Sequence, residues 1–255
     1  MSTFTGAVAV VTGGGTGVGR AVSLALAAAG AATVVVSYSR SDAAAEALVD
    51  EVRVLGGAAV AIRADVRDEE SVAAMVDRVV EEFGAIDILV NCAGTTKLVP
   101  FEDLDGLTDD VWDHVMDVNV RGAFRCIRAA APALRKTGGA VVNVASTAGH
   151  RAGGSSIAYG VSKAALLQLT RGLARSLAPE VTVNSVSPGA IESDWLVDLV
   201  GADAARASWD ADARTTPLRR VATPDDVAEA VLAMLSARFV TGEDIIVDGG
   251  KHLLY

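Results

Sequence analysis

Cysteine is scarce in this chain: Cys92 and Cys126 are the only two. Two thiols do not build a disulfide framework, and neither stands at a zinc-binding spacing from histidine, so no metal site is expected. Prolines number only six and aromatic residues make up 4%. No proline- or serine-rich linker divides the chain, so a single domain over residues 1–255 is expected. Basic charge is also short, with 22 lysines and arginines against 32 carboxylates and a net charge of −10. Nucleic acid and anionic membranes both attract basic patches, and neither is an expected partner. No apolar run reaches the roughly 18 residues that span a bilayer. The start, Met1-Ser2-Thr3-Phe4-Thr5, lacks the basic and apolar segments of a secretion signal, so a cytoplasmic protein is expected. Apolar residues, by contrast, are abundant at 51%. A chain of this length can bury roughly three quarters of its unfolded surface in one α/β core.

Short apolar runs alternate with helical patterns. Strands are expected at Ala7–Val11, Thr33–Val36, Ala58–Ile62, Ile86–Val90, Ala140–Ala145, Val181–Val186 and Ile245–Val247. Helices are expected at Gly19–Ala29, Asp42–Leu55, Glu69–Phe83, Asp109–Leu134, Ala158–Leu177 and Pro224–Leu235. The strand runs are mostly continuous apolar stretches and not in/out alternations, as a parallel sheet covered on both faces requires. The expectation is one α/β domain of the doubly wound Rossmann type, with about seven parallel strands flanked by helices on both faces. Residues 191–220 have no clear period and are expected to form a substrate lid.

Glycines cluster between the first strand and first helix, in Thr12-Gly13-Gly14-Gly15-Thr16-Gly17-Val18-Gly19. Glycines there permit a tight turn and close approach of a pyrophosphate to a helix N-terminus. The spacing differs from the long-chain Gly-x-Gly-x-x-Gly fingerprint, and alone it is compatible with a simple turn. A second set is sharper. Tyr159 and Lys163, four residues apart in a helical stretch, share one face, and Ser146 follows a strand just upstream. A phenol near pKa 10 is a poor base at neutral pH. A neighbouring ammonium and a positive nicotinamide ring favour phenolate, and a serine hydroxyl can hold the substrate oxygen.

With these residues in order, the chain resembles the short-chain dehydrogenase/reductase family, in particular its 3-oxoacyl-carrier-protein reductase-like branch. The likeness runs nearly end to end, through the glycine loop, Asp65, Asn91-Cys92-Ala93-Gly94, Asn119, Ser146, Tyr159, Lys163 and Pro188-Gly189. Two residues depart from the pattern: Cys92 stands where asparagine is usual, and Ala145 where serine is frequent. Neither removes a group the chemistry needs. The resemblance implies that Tyr159 exchanges the proton of a ketone/alcohol pair and Ser146 orients the substrate oxygen. Lys163 would lower the tyrosine pKa and bind the nicotinamide ribose, and Asn119 would hold a water linking Lys163 to solvent. Read alone, Asn119 is an ordinary mid-helix packing or hydrogen-bonding residue. Gly13, Thr16, Gly17, Val18 and Gly19 would hold the pyrophosphate. Asp65, beside Val66, would accept from the adenine amino group, although by itself it reads equally as a turn former. Asn91, Ala93 and Gly94 would pass beneath the adenosine ribose; Pro188, Gly189 and Ile191 would flank the nicotinamide.

The second strand ends in Ser37-Tyr38-Ser39-Arg40. An acidic residue there would bind a ribose 2′-hydroxyl, whereas Ser39 and Arg40 suit a 2′-phosphate. NADP(H) is therefore the expected cofactor, with Asp42 nearby keeping NAD(H) open. Thr95, Thr96, Thr147, His150, Ala190 and Trp195 are candidate pocket residues beside Ser146. His150 either touches substrate or sits at the loop rim, Trp195 and Trp209 either cover an apolar substrate or pack the lid, and His114 reads as an ordinary helix residue. A small carbonyl or alcohol substrate is expected first. Acyl-carrier-bound substrate comes second, because Arg135 and Lys136 would attract an acidic carrier while Glu180 would repel it. A cofactor-binding scaffold without turnover is the remaining alternative. Family likeness implies a homotetramer or dimer, packed through the helices Asp109–Leu134 and Ala158–Leu177, with Leu253-Leu254-Tyr255 covering a partner.

Overall fold

The structure is a computed structural model describing residues 4–254. Met1–Thr3 and Tyr255, read above for a signal and for partner contact, lie outside the described residues. Seven strands form one parallel sheet: β1 (Val8–Thr12), β2 (Thr33–Tyr38), β3 (Ala59–Arg63), β4 (Ile88–Asn91), β5 (Ala140–Val144), β6 (Thr182–Pro188) and β7 (Asp244–Val247). Their spatial order is β3-β2-β1-β4-β5-β6-β7. The helices are α1 (Gly17–Ala28), α2 (Asp42–Val54), α3 (Glu69–Phe83), α4 (Asp109–Met116), α5 (Ala123–Thr137), α6 (Ile157–Leu177), α7 (Asp194–Val200), α8 (Ala202–Thr215) and α9 (Pro224–Ser236).

Alternate strand residues feed two separate cores, which is why the runs are largely apolar. Ala9, Val11, Val34, Val36, Val90 and Val142 pack against α1, α2 and α9, through Leu26, Leu48 and Val231 among others. Val8, Val10, Val35, Leu89, Val141 and Val183 pack against α3, α5 and α6, through Val79, Ile127 and Leu177. Both faces are therefore dry.

Two expectations change. The stretch Asp109–Leu134 is not one regular helix, because a π turn at Asp117–Gly122 separates α4 from α5. Apolar periodicity continues across one widened turn, so sequence pattern does not reveal it. Residues 191–220 are not irregular either, but carry α7 and α8. α7 buries no residue and α8 buries only Ala205, so neither prints an apolar stripe on the sequence.

In a parallel sheet every strand ends on the same edge. β1 leads to β2 and β3 on one side, and β4 leads to β5, β6 and β7 on the other. The crevice at the C-terminal ends of β1 and β4 is thus the topological switch point, where open α/β sheets bind ligands. Among the described residues, no helix is long and apolar enough to cross a membrane.

Candidate active site

A cleft of about 1720 Å³ opens at that edge, well above the roughly 300–1,000 Å³ of a single small-ligand pocket. At one end, Gly13, Thr16, Gly17, Val18 and Gly19 line its floor. α1 starts here with no side-chain cap at Thr16, so its first N–H groups face the cleft without that partner, as an anion site requires. Gly13 has φ +61, and a Cβ on it would stand 3.0 Å from the Ala93 backbone; a Cβ on Gly19 would stand 2.1 Å from the Gly13 carbonyl oxygen. These observations fit a dinucleotide pyrophosphate. Gly19→Ala is expected to raise the dissociation constant for NADPH by about tenfold or more, checked by fluorescence titration against a parallel melting curve.

Ser39, Arg40, Asp65 and Val66 line the end of the cleft expected to take the adenosine, together with Arg63 and Arg67, which sequence reasoning missed. Arg63 Nε donates to the Ser39 carbonyl at 3.3 Å. Arg67 binds Asp65 in a two-pronged ion pair, Nη2 to Oδ2 at 2.6 Å and Nε to Oδ1 at 3.1 Å. This pairing holds the Asp65 carboxyl below its ordinary pKa despite partial burial. Both oxygens of Asp65 are therefore engaged, and an adenine amino group would have to share them with the guanidinium.

Ala93 and Gly94 line the middle of the cleft, but Asn91 does not. Asn91 is turned into the sheet, where its amide donates to Asn143 Oδ1 at 2.9 Å and Asn143 in turn donates to Thr170 Oγ1 at 2.9 Å. The side chain thus links β4, β5 and α6.

Ser146, Tyr159 and Lys163 share one wall. Tyr159 and Lys163 stand in the first turns of α6, whose N-cap Ser156 accepts from the Tyr159 N–H at 3.2 Å. Lys163 is buried, its Nζ donates to the Val144 carbonyl at 2.8 Å, and it stands 5.7 Å from the centre of the Tyr159 ring. Burial pushes its pKa down to about 8, against a small opposing effect of Cys92. Burial also raises the Tyr159 phenol, and the Ser146 hydroxyl pulls it partly back. The protein's own groups thus leave the phenol above its ordinary value, and the lowering expected from the lysine and a positive nicotinamide ring together needs the ring. Ser146 Oγ accepts from the Ala148 N–H at 3.1 Å, which leaves its own proton for Tyr159 or a substrate oxygen.

Asn119 sits in the π turn, buried, with its side chain already committed. Oδ1 accepts from the Thr95 N–H at 2.8 Å, while Nδ2 donates to the Thr95 carbonyl and to Ser162 Oγ, each at 2.9 Å. The side chain thus fixes the loop after β4 and offers no spare donor to a water. Pro188, Gly189, Ala190 and Ile191 close the end of the cleft expected to take the nicotinamide.

Of the candidate substrate residues, Thr95, Thr147 and Trp195 line the cleft. Thr96 and His150 do not: Thr96 Oγ1 pairs with Ser155 Oγ, and His150 points to Asp244. His114 does line it, with Nε2 3.3 Å from Thr95 Oγ1, where a helix position alone gave no sign of a cleft. The Trp195 ring lies 6.3 Å from that of Tyr159, tilted by 39°. Trp209 Nε1 donates to the Ile191 carbonyl at 3.0 Å and so fastens α8 to the cleft wall. Sequence gave no hint that Lys251 at the C-terminal end would pair with Asp212 of α8 and line the same cleft.

A doubly wound sheet whose switch point carries a glycine loop and a Ser-Tyr-Lys wall defines a nicotinamide-dependent oxidoreductase. The family profile described as enoyl-(acyl carrier protein) reductase matches residues 13–252. The chain belongs to the short-chain dehydrogenase/reductase family, in its 3-oxoacyl-carrier-protein reductase-like branch. It is 44% identical over 196 residues to a ketoacyl reductase ascribed to the granaticin polyketide synthase of Streptomyces violaceoruber, covering 76% of this chain and 77% of that one. A 3-oxoacyl-[acyl-carrier-protein] reductase of Staphylococcus aureus is 38% identical over 222 residues, 86% of this chain and 87% of its own. Among solved structures, a 7α-hydroxysteroid dehydrogenase bound to NADH and a 7-oxo bile acid matches with a TM-score of 0.88 at 33% identity, over 98% of this chain and 96% of that one.

Proposed function

We propose that the chain reduces a ketone to a secondary alcohol, or runs the reverse reaction, with NADP(H) preferred. The observation that carries this reading is the wall on which Ser146, Tyr159 and Lys163 meet beside the glycine loop. A bound nicotinamide supplies or takes the hydride at the carbonyl carbon. Tyr159 gives its phenol proton to the carbonyl oxygen in reduction and takes it back in oxidation, while Ser146 holds that oxygen. Lys163 keeps two N–H groups beyond the one spent on Val144, and these suit the nicotinamide ribose hydroxyls. Its positive charge, together with that of an oxidised nicotinamide, favours phenolate.

Arg40, Arg63 and Arg67 at the adenosine end favour a 2′-phosphate. Arg40→Asp is expected to raise KM for NADPH by about 10- to 100-fold, the loss of one charge-assisted contact plus a new repulsion, with little change for NADH. Wild-type protein that prefers NADH would sink the NADP(H) assignment.

The substrate reading rests on a carbonyl panel of cyclic, aryl and linear ketones assayed by loss of reduced cofactor, with NADPH and NADH in parallel. A 3-oxoacyl thioester is the second reading, favoured by the names of the relatives and by apolar Leu98, Leu196, Leu199 and Val200 along the open end of the cleft. Arg135 and Lys136 end α5 at the N-terminal edge of the sheet, opposite the cleft of the same chain. Within one chain they do not steer a carrier into it. A carrier-bound substrate reduced far faster than a short thioester of the same acyl group would favour this second reading. Assembly into a tetramer or dimer, and residence in the cytoplasm, are proposals on family likeness alone.

A further inference from the structure

We propose that His150 is a positioning residue of this reaction, holding the Ser146 turn in register by anchoring its far end to Asp244; the inference rests on the carbonyl-reduction reading above. His150 lies off the cleft, with Nε2 2.9 Å from Asp244 Oδ2 and 3.2 Å from Ser187 Oγ. A carboxylate only accepts, so Nε2 carries the proton of the Asp244 bond. Asp244 is itself immobilised. Its side chain is 9% exposed, and its Oδ1 accepts from Ser185 Oγ at 2.6 Å and Ser187 Oγ at 3.0 Å. Both serines stand on β6, where Ser185 is the register partner of Asp244. A carboxylate held by two hydroxyls of the neighbouring strand is a fixed point of the sheet.

The turn from Ser146 to His150 is short and internally bonded. Ser146 Oγ and its carbonyl accept from the Ala148 and Gly149 N–H groups at 3.1 and 2.9 Å, and the His150 N–H donates to the Thr147 carbonyl at 3.0 Å. On its other side the turn presses on α6 at the reactive lysine. A Cβ on Gly149 would stand 2.8 Å from the Lys163 carbonyl carbon and 2.9 Å from the Ala164 nitrogen. Gly149 thus sets the turn against α6, and His150 prevents it from sliding off along that contact. The separation of Ser146 Oγ from the Tyr159 phenol is the quantity so fixed. A shift of a fraction of an ångström at an orienting group is costly for the chemical step, since about 1 Å can cost on the order of 10²-fold. Most of the residues expected to hold the cofactor stand on β1 to β4 and the glycine loop, away from this turn, so cofactor affinity is expected to change far less than the rate.

The test measures kcat, KM and the NADPH dissociation constant for wild type, His150→Ala, His150→Leu, His150→Gln, Asp244→Ala and the double variant His150→Ala/Asp244→Ala, with the best ketone of the panel. Both His150→Ala and His150→Leu are expected to lower kcat about tenfold with the NADPH dissociation constant within about twofold of wild type. Leucine restores volume without a polar nitrogen, so a loss common to both is not a packing defect, and retained NADPH binding verifies the fold. His150→Gln, whose amide N–H can reach the same carboxylate, is expected to recover most of the rate. The double variant is expected to be no slower than the slower single one, because the two residues act as one unit. A kcat within about twofold of wild type in both His150→Ala and His150→Leu, or losses that multiply in the double variant, would overturn the proposal. Wild type inactive on every ketone overturns the carbonyl reading and this inference together; active wild type with unchanged His150 variants overturns this inference alone.

Discussion

Tyr159→Phe is expected to lower kcat for ketone reduction by about 10³-fold while leaving the NADPH dissociation constant within about twofold, measured by steady-state kinetics and fluorescence titration. The size follows from removing a positioned proton donor, which typically costs on the order of 10²–10⁴ in rate. The split between rate and binding follows from the geometry. The ring stays packed in the first turn of α6, where Ser156 caps the helix through the Tyr159 N–H, and only the hydroxyl shared with Ser146 is lost. A phenol raised by burial stays protonated in the protein alone, so it holds the proton that a carbonyl oxygen takes up in reduction. In oxidation, the positive charge of an oxidised cofactor would bring the phenol down so that phenolate can accept a proton. A variant with unchanged kcat would remove Tyr159 from the reaction.

Lys163→Met is expected to cost about 10²-fold or more in kcat and to change how stability depends on pH. Burial depresses the Lys163 pKa to about 8 in the folded chain, against 10.5 for an ordinary lysine. Between those values the unfolded chain binds more protons than the folded one, so this lysine's contribution makes stability rise with pH. The contribution is fully present above pH 10.5 and is lost as pH falls through about 8. Methionine has no such term. The difference in Tm, variant minus wild type, is therefore expected to shrink as pH rises from about 8 to about 10, by a few degrees in total. Tyr159 and Cys92, whose own raised values act in the opposite sense, are present in both proteins, and loss of the Lys163 charge, which lowers the Cys92 thiol, adds to the expected fall. A flat difference would mean that Lys163 is not held against burial. The unmet Val144 carbonyl in the variant shifts the whole curve without changing its slope.

Much of the fold was legible because the sheet is parallel and doubly covered. Seven mainly apolar runs marked seven strands, and five of the six helical patterns fell where single helices stand, the sixth being split by the π turn. The π turn and the helices α7 and α8 were not legible, one because apolar spacing survives a single widened turn, the others because they bury almost nothing. The Ser146, Tyr159 and Lys163 set was legible from type and spacing, since few other tasks need a lysine one turn from a tyrosine. Side-chain direction was not. Asn91 and His150 sit one or a few residues from cleft-lining neighbours, yet both turn away, Asn91 toward Asn143 and His150 toward Asp244. Those partners lie 52 and 94 residues distant in the chain, beyond any local pattern. Arg63 and Arg67 were missed for a related reason: the adenosine end draws on β3 and the loop after it, while the reading for a 2′-phosphate looked only along β2.

The most direct test of the central claim follows a label through the reaction. A ketone that the wild-type protein consumes is reduced with NADPH carrying deuterium at both positions of nicotinamide C4, and the alcohol is analysed by NMR. The account predicts a secondary alcohol with deuterium on the carbinol carbon, in proportion to cofactor oxidised, and none when Tyr159→Phe replaces wild type over the same interval. Alcohol without deuterium at that carbon, or bound cofactor that remains reduced with every ketone offered, would contradict it.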